Sequence, residues 1–162
     1  MSSIRTGSLL LATMSTGLMA GVFGLYAHTI MPGLRTTDDR TFVGAFQSID
    51  RAIINPWFIG FSFLGAATFT AVAAATNRRT PAFGWIVAAL AAHLITMIIT
   101  ITVHVPLNDA IKAAGNPDRI ANLHQVRANF HETRWAAWNL ARTIASTAAF
   151  ALLLWSTALH SR

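Results

Sequence analysis

The sequence contains no cysteine and few charged side chains, and both absences restrict what the protein can be. Without cysteine, the chain has no disulfides, thiolate metal sites, iron–sulfur clusters or cysteine nucleophile. Charged residues make up 11% of the chain, against roughly 25% in an average soluble domain. The mean hydropathy is +0.50. This composition argues against a water-soluble globular domain and indicates an integral membrane protein.

The charge balance does not indicate a nucleic-acid partner. The 12 basic and 6 acidic residues give a net charge of +6, and a basic protein can attract nucleic acid. The basic residues are, however, scattered between long uncharged blocks instead of lying on one amphipathic face. We therefore expect no nucleic acid and a lipid bilayer around the chain, with residues 1–162 forming one integral membrane domain.

Four long apolar stretches dominate the rest of the sequence. They cover residues 8–30, 55–76, 82–105 and 138–159, and each contains 22 to 24 residues. A bilayer core of ~30 Å needs about 20 helical residues, and backbone groups in lipid must be hydrogen-bonded within the segment. The sequence therefore predicts an all-α protein, a four-helix transmembrane bundle. The first stretch is longer than a signal-peptide core of about 7–15 residues, so we expect a retained span.

Prolines and small residues mark the predicted boundaries and contacts of these helices. Pro32 and Pro106 are predicted to end the first and third helices. Pro56 and Pro81 lie at the predicted starts of the second and third helices, where proline is tolerated in the first turn. Small residues such as Gly17 would allow the helices to approach closely.

The orientation of the bundle depends on where Lys and Arg lie. With four spans, both termini share a side with the short turn 77–81, and this side carries four basic residues against eight on the other. The positive-inside rule alone would therefore place the termini outside. The eight are interleaved with all six acidic residues, and the compact Asn77-Arg78-Arg79 turn favours the other orientation. We expect cytoplasmic termini.

The connection before the fourth span has the spacing of a helix. His124, Arg127, His131 and Trp135 recur every three or four residues between positions 120 and 142, as on one helical face. This predicts an extramembrane helix that continues directly into the fourth span. Trp135 and Trp138 would then lie in the aromatic belt of the membrane interface or contact a substrate.

Arg142 is the one charged residue within a predicted span. Such an arginine either faces the bundle interior with a partner or extends to the interface. Other polar residues are predicted to lie at the same face of the membrane as Arg142. They occur at the ends of the first and third apolar stretches, around the start of the second and within the fourth. These are His28, Gln47, Asn55, His104, Asn108 and Asn139, with Trp57 beside them. The sequence therefore predicts a polar pocket at this rim of the bundle.

The histidines and Met97 raise the question of a metal. His93 and Met97 lie four residues apart on one helical face and could bind Cu(I); a buried His93 hydrogen-bonded to a neighbouring Ser or Thr is the alternative. Copper held by His28 and His104, with His131 as a third ligand, is a second possible site. Haem between His28 and His104 would need both residues at matching depth, and we favour it less.

Four segments share a pattern with a known family: residues 26–34, 46–58, 105–109 and 135–143. They include Pro106-Leu107-Asn108, and Trp138-Asn139 followed by Arg142. At these positions the chain resembles the anthrone-oxygenase-like family of small four-helix membrane proteins, over most of its length. The resemblance implies a membrane-embedded monooxygenase that oxidises a lipophilic aromatic or phenolic molecule of the polyketide type, as when an anthrone becomes an anthraquinone.

The resemblance also implies roles for the predicted pocket residues. His28 or His104 would take a proton from the substrate, since imidazole titrates near neutral pH. The developing negative oxygen would be stabilised by Asn108, Asn139 and Arg142. The flat substrate would be bound by Gln47, Asn55, Trp57, Trp135 and Trp138. The reaction with O₂ would proceed either without a cofactor or with copper.

A non-enzymatic membrane protein is the alternative interpretation. In a small transporter or an assembly partner, Arg142 would be structural and would pair with Asp50 or Asp109. No span is broken and no inverted repeat is apparent in the sequence, so an independent transporter is less favoured. A homo-oligomer is compatible with either interpretation.

Overall fold

The computed structural model describes residues 3–160, and this part of the chain is helical and contains no strand. Its helices are α1 (Ser3–Arg35), α2 (Asp39–Ile53), α3 (Pro56–Thr76), α4 (Phe83–Ala113), α5 (Leu123–Asn129) and α6 (Glu132–His160). Three of them, α1, α3 and α4, include a π-helical segment. The predicted all-α fold is confirmed.

Four helical segments are long and apolar enough to cross a membrane: Ser3–Arg35, Pro56–Thr76, Phe83–Ala113 and Leu123–Leu159. Large apolar side chains, among them Ile98, Ile144 and Leu154, are exposed on the outside of these helices. Extensive exposed apolar surface is typical of a face that contacts membrane. The predicted four-helix bundle is confirmed, and it fits a multi-pass membrane protein.

Small side chains bring the long helices close together. α6 packs along α1 and α4, and α1 also packs along α3. Ala73, Ala89 and Ala149 are fully or almost fully buried in this core, and small residues let helix backbones approach closely. A Cβ added to Gly17 would lie 2.7 Å from the Phe150 ring, so a larger residue at Gly17 would require the Phe150 ring or α1 to shift.

Pro32 and Pro106 do not end their helices, contrary to the prediction. α1 continues through Pro32 and α4 continues through Pro106. In each helix a π-helical turn lies directly before the proline region, at Tyr26–Ile30 in α1 and at Thr100–His104 in α4. The two helices therefore extend beyond their apolar stretches and carry polar residues past the predicted boundaries.

The chemistry of proline explains this arrangement. Proline has no backbone N–H, and its ring clashes with the carbonyl four residues earlier; for Pro106 that carbonyl belongs to Thr102, within the π turn. A π turn bonds an N–H to the carbonyl five residues back, as Met31 does to Tyr26 and Val105 to Thr100. The wider turn gives the displaced carbonyl room, so the helix continues.

Pro56 lies at a helix start and Pro81 just before one, close to where the sequence predicts them. Asn55 caps α3, because its side-chain oxygen accepts a hydrogen bond of 2.9 Å from the Phe58 N–H, and Pro56 follows in the first turn. α4 begins at Phe83, two residues after Pro81. The turn between α3 and α4 is therefore short, as expected.

α2 is an amphipathic helix, and it lies in the segment between the first two spans that the sequence predicts to be a connection. Asp38 caps it by accepting a hydrogen bond of 2.9 Å from the Thr41 N–H, and this bond lowers the pKa of the Asp38 carboxyl. One face of the helix is buried and carries Phe42, Val43, Phe46, Gln47 and Asp50. α2 therefore covers one end of the bundle and adds polar residues to it.

The predicted helical extension into the fourth span is confirmed, and it has one interruption, at Phe130 and His131. His131 has a φ of 54°, in the left-handed region that residues other than glycine rarely adopt. Arg127 holds α5 against the bundle through hydrogen bonds to the Glu132 carboxylate (2.7 Å) and the Thr37 carbonyl (2.8 Å). α5 therefore leads into α6 and also packs against α2.

Candidate functional site

A cavity of about 280 Å³ lies between α2 and the adjoining parts of the four long helices. Its wall contains six aromatic rings: Phe23, Tyr26, Phe46, Phe58, Phe63 and Trp135. The wall also contains polar side chains: Asp50, Thr100, His104, Asn108, Asp109, Lys112 and Arg142. Flat apolar walls with a few polar groups are typical of small-molecule sites. The cavity is therefore the candidate site.

Arg142 is buried in the wall of this cavity. Its Nε donates a hydrogen bond of 2.9 Å to Asn139, and its Nη1 lies 3.4 Å from the Thr100 hydroxyl oxygen. Its guanidinium carbon lies 4.1 Å from the centre of the Phe23 ring and 5.4 Å from that of Trp135. Within residues 3–160 none of the ion pairs includes Arg142. The cavity therefore contains a positive charge without a paired carboxylate.

His104 is the histidine in the cavity wall. It is buried, and its ring lies edge to face with the Trp135 ring at 4.9 Å. Neither ring nitrogen has a hydrogen-bond partner of normal geometry in the described part of the chain. Buried polar atoms are nearly always hydrogen-bonded, so a ligand that reached this ring would supply a bond that the described residues do not make in normal geometry.

A chain of polar contacts connects cavity residues of α2, α4 and α6. The Trp135 Nε1 donates to the Asn108 oxygen at 2.8 Å, and the Asn108 amide donates to Asp50 at 2.6 Å. Asp50 also pairs with Lys112 at 2.7 Å, and Lys112 reaches Asp109 at 3.1 Å. Asp50 and Asp109 therefore pair with Lys112, and not with Arg142 as the non-enzymatic interpretation expected.

Five of the predicted pocket residues come together. His104, Asn108, Trp135 and Arg142 line the cavity. Asn139 lies directly behind Arg142, is buried, and donates a hydrogen bond of 3.2 Å to the Phe23 carbonyl. Asn139 therefore positions Arg142 instead of facing the cavity.

The other predicted residues lie elsewhere. His28 is exposed and bonds to the neighbouring Thr29 hydroxyl at 2.6 Å. Trp57 is 65% exposed and stacks on the Phe61 ring at 5.0 Å. Asn55 caps α3, as described above. These residues do not line the cavity.

Gln47, Trp138 and His131 also lie outside the cavity. Gln47 is buried and donates to the carbonyls of Ile111 (2.7 Å) and Gly115 (3.0 Å), so it fastens the end of α4 to α2. Trp138 and His131 line a separate, open groove of about 870 Å³ on α5 and α6. The predicted substrate contacts of Gln47 and Trp138 are therefore not seen at the cavity.

The three histidines predicted to bind copper lie in different surroundings. His104 is buried, whereas His28 and His131 are exposed. Residues 3–160 contain no group of three or more His, Cys, Asp or Glu side chains arranged to hold a metal ion. His93 is buried and its Nε2 lies 3.1 Å from the Phe63 carbonyl oxygen, so its partner is a backbone carbonyl and not the predicted Ser or Thr.

Most residues of the cavity wall were not among the predicted site residues, and Phe23, Tyr26, Thr100 and Lys112 are examples. Phe23, Tyr26 and Thr100 belong to apolar stretches, where the sequence gives no sign that they face a site. Lys112 lies four residues after Asn108, on the same helical face, and this spacing could have identified it.

Together, the fold and the cavity define a small all-α protein with four candidate spans and one polar cavity walled by aromatic rings. The sequence profile of the anthrone oxygenase family matches residues 53–152, which is more than half of the chain. The chain therefore belongs to the anthrone oxygenase family, as its resemblance predicted. Searches of curated proteins and of solved structures gave no match.

Proposed function

We propose that this chain is a membrane-embedded oxygenase that oxidises a small lipophilic polycyclic phenol or anthrone inside the cavity. One observation carries the proposal: the same aromatic cavity contains His104, whose ring nitrogens make no hydrogen bond of normal geometry within residues 3–160, and Arg142, which has no carboxylate partner within those residues. Membership of the anthrone oxygenase family supports an oxygenase-like role.

The cavity suits a compact, flat ligand. Its volume of about 280 Å³ is close to the lower end of the range of about 300–1,000 Å³ found for small-molecule pockets. The rings of Phe23, Phe58 and Trp135 offer faces and edges to an aromatic substrate, which they would bind by stacking or edge contacts.

In the proposed reaction, His104 accepts a proton from the CH₂ group of the anthrone. The negative charge moves to the carbonyl oxygen, where Arg142 and Asn108 stabilise it. The resulting carbanion gives one electron to O₂, and the two radicals combine to a peroxide, which takes the proton back from His104. Loss of water then leaves a carbonyl, so that CH₂ and O₂ become C=O and H₂O.

This mechanism uses no redox cofactor, because the substrate anion itself reduces O₂. Copper bound at His104 is the competing arrangement, since imidazole is a good copper ligand. The copper content of the purified protein, measured after metal has been added back, distinguishes the cofactor-free mechanism from the copper-dependent one. Stoichiometric copper that is lost in a His104→Ala variant would replace the proposed mechanism.

The test compares two histidines in the full chain, reconstituted in lipid nanodiscs with anthrone as substrate. Removing a general base lowers the rate by about 10²–10⁴-fold, so we expect His104→Gln to lose O₂ uptake and anthraquinone formation to that extent. His28→Gln is the matched control, because His28 is exposed and outside the cavity. Equal activity of both variants would contradict the role of His104, and no turnover by the native chain would contradict the function.

A further inference from the structure

The two middle helices of the bundle, α3 and α4, separate toward the end that contains the cavity. Segment Gly65–Thr76 of α3 packs against Phe83–Ile99 of α4, whereas Pro56–Leu64 makes little contact with α4. The π turn of α4, Thr100–His104, lies at the level of this separation, and residues from both segments line the cavity. A window between α3 and α4 therefore leads into the cavity from the side of the bundle.

A polar contact joins α3 and α4 at one end of this window, and an ion pair joins α4 to α2 toward the other end. At the deeper end, His93 on α4 reaches the Phe63 carbonyl on α3 at 3.1 Å. At the outer end, Lys112 on α4 pairs with Asp50 on α2 at 2.7 Å and with Asp109 at 3.1 Å. These contacts bound the opening along α4.

The edge of the window is apolar. Ile54, Ile101 and Val105 line the cavity, and they are also 60%, 58% and 44% exposed on the outer surface. Residues that combine these two properties are expected at the edge of an opening. At the polar end of the cavity, Lys112 bridges Asp50 and Asp109. The apolar edge of the window is therefore the side that suits contact with lipid chains.

We propose that this window is the entrance through which a lipophilic aromatic substrate passes directly from the bilayer into the cavity, with Ile101 as the residue that limits its passage. The proposal rests on the function proposed above. In this proposal His93 has a positioning role, because its hydrogen bond fixes the deeper end of the window. Lys112, together with Asp50 and Asp109, closes the polar end of the cavity.

The cysteine-free sequence allows a labelling test with single cysteines. Ile101→Cys and Ile98→Cys are a matched pair, because both residues are on α4 and are 58% and 60% exposed, but only Ile101 lines the cavity. The reagent is N-phenylmaleimide, the ligand is anthraquinone, and the full chain is in nanodiscs. Anthraquinone at ten times its Kd leaves about a tenth of the protein free, so labelling of Ile101→Cys should slow about tenfold while that of Ile98→Cys stays unchanged.

A second measurement tests passage itself. A tryptophan at the edge narrows the window, so Ile101→Trp should lower the association and dissociation rates of anthraquinone together by about tenfold or more, with a much smaller change in Kd. Ile98→Trp, outside the window, should leave both rates unchanged. Val105→Trp replaces Ile101→Trp if that variant does not fold.

Different failures contradict different proposals. If anthraquinone binds saturably but protects neither cysteine, or if Ile101→Trp leaves both rates unchanged, the entrance is wrong and the oxygenase function stands. Rapid labelling of Ile101→Cys by a membrane-impermeant sulfonated maleimide would show that the window faces water, and would also overturn the entrance. Absence of saturable anthraquinone binding overturns both proposals.

Discussion

At the scale of single residues, Arg142 is held by aromatic rings and neutral groups instead of a carboxylate. The rings of Phe23 and Trp135 stabilise its charge by cation–π contacts, and Asn139 fixes its Nε. A buried charge is costly unless it is paired, so an anionic ligand oxygen would complete its surroundings. The planar guanidinium also suits a site between two flat rings.

We expect Arg142→Lys to lower kcat/KM for anthrone by about 10²-fold, the effect of removing a preorganised donor to a developing oxyanion. A lysine cannot keep the hydrogen bond to Asn139 while stacking on the Phe23 ring. Steady-state kinetics in nanodiscs measure the effect, with Arg134→Lys, an exposed position on the same helix, as the control. Full activity of Arg142→Lys would support a structural role for this residue instead.

The sequence identifies part of the site because polar residues in apolar stretches are conspicuous. His104, Asn108 and Arg142 were predicted as site residues on this ground, and they line the cavity. His28 was predicted by the same argument but is exposed. Each residue of an α-helix turns the chain by about 100°, so a π turn shifts the faces of the residues around it. Helical spacing alone does not show this shift.

At the scale of helices, the π turns give the site its shape. The turn Thr100–His104 contributes Thr100 and His104 to the cavity, and Pro106 follows two residues later. Beyond the proline, α4 continues far enough to place Asn108 and Lys112 opposite Asp50. A helix that ended at Pro106 would lack this polar side of the cavity.

Pro106→Ala should separate the stability of α4 from its function. Alanine is about 3 kcal/mol more favourable than proline in a helix interior, so thermal unfolding should shift to the same or a higher temperature. Relaxation of the π turn would rotate Asn108 away from Trp135, and a displacement of about 1 Å in a site can lower the rate by about 10²-fold. Turnover and unfolding are measured together, with the exposed Pro81→Ala as the control. Unchanged turnover would show that Pro106 does not maintain the π turn.

The long helices were predictable from the sequence, whereas α2 and the break before α6 were not. A bilayer-length apolar run is a strong signal, and all four runs correspond to helices. The signal of α2 is weaker, because its apolar residues occupy only one face and its capping residue, Asp38, lies in a polar connection. The break at His131 depends on the contacts of Arg127 with Glu132 and Thr37, which spacing along the chain does not show.

At the scale of the whole molecule, the two ends of the bundle differ in charge. The end with the cavity carries all six acidic residues of the sequence, and several of them form ion pairs there, as Asp50 does with Lys112. The turn between α3 and α4 carries Arg78 and Arg79 and no acidic residue. The positive-inside rule counts Lys and Arg and gives little weight to acidic residues, so the expected orientation rests on the compact turn that carries Arg78 and Arg79.

On this ground we expect the turn between α3 and α4 to face the cytoplasm and the cavity end to face the opposite side. Single cysteines in the cysteine-free chain test this, at Pro81→Cys in the turn and at Ala121→Cys before α5, both exposed positions. A membrane-impermeant maleimide should label Ala121→Cys in intact cells and Pro81→Cys only after permeabilisation. The opposite pattern would reverse the orientation, with the cavity end in the cytoplasm. Labelling of both positions in intact cells would contradict the crossing of the membrane between them, and with it the entry of substrate from the bilayer.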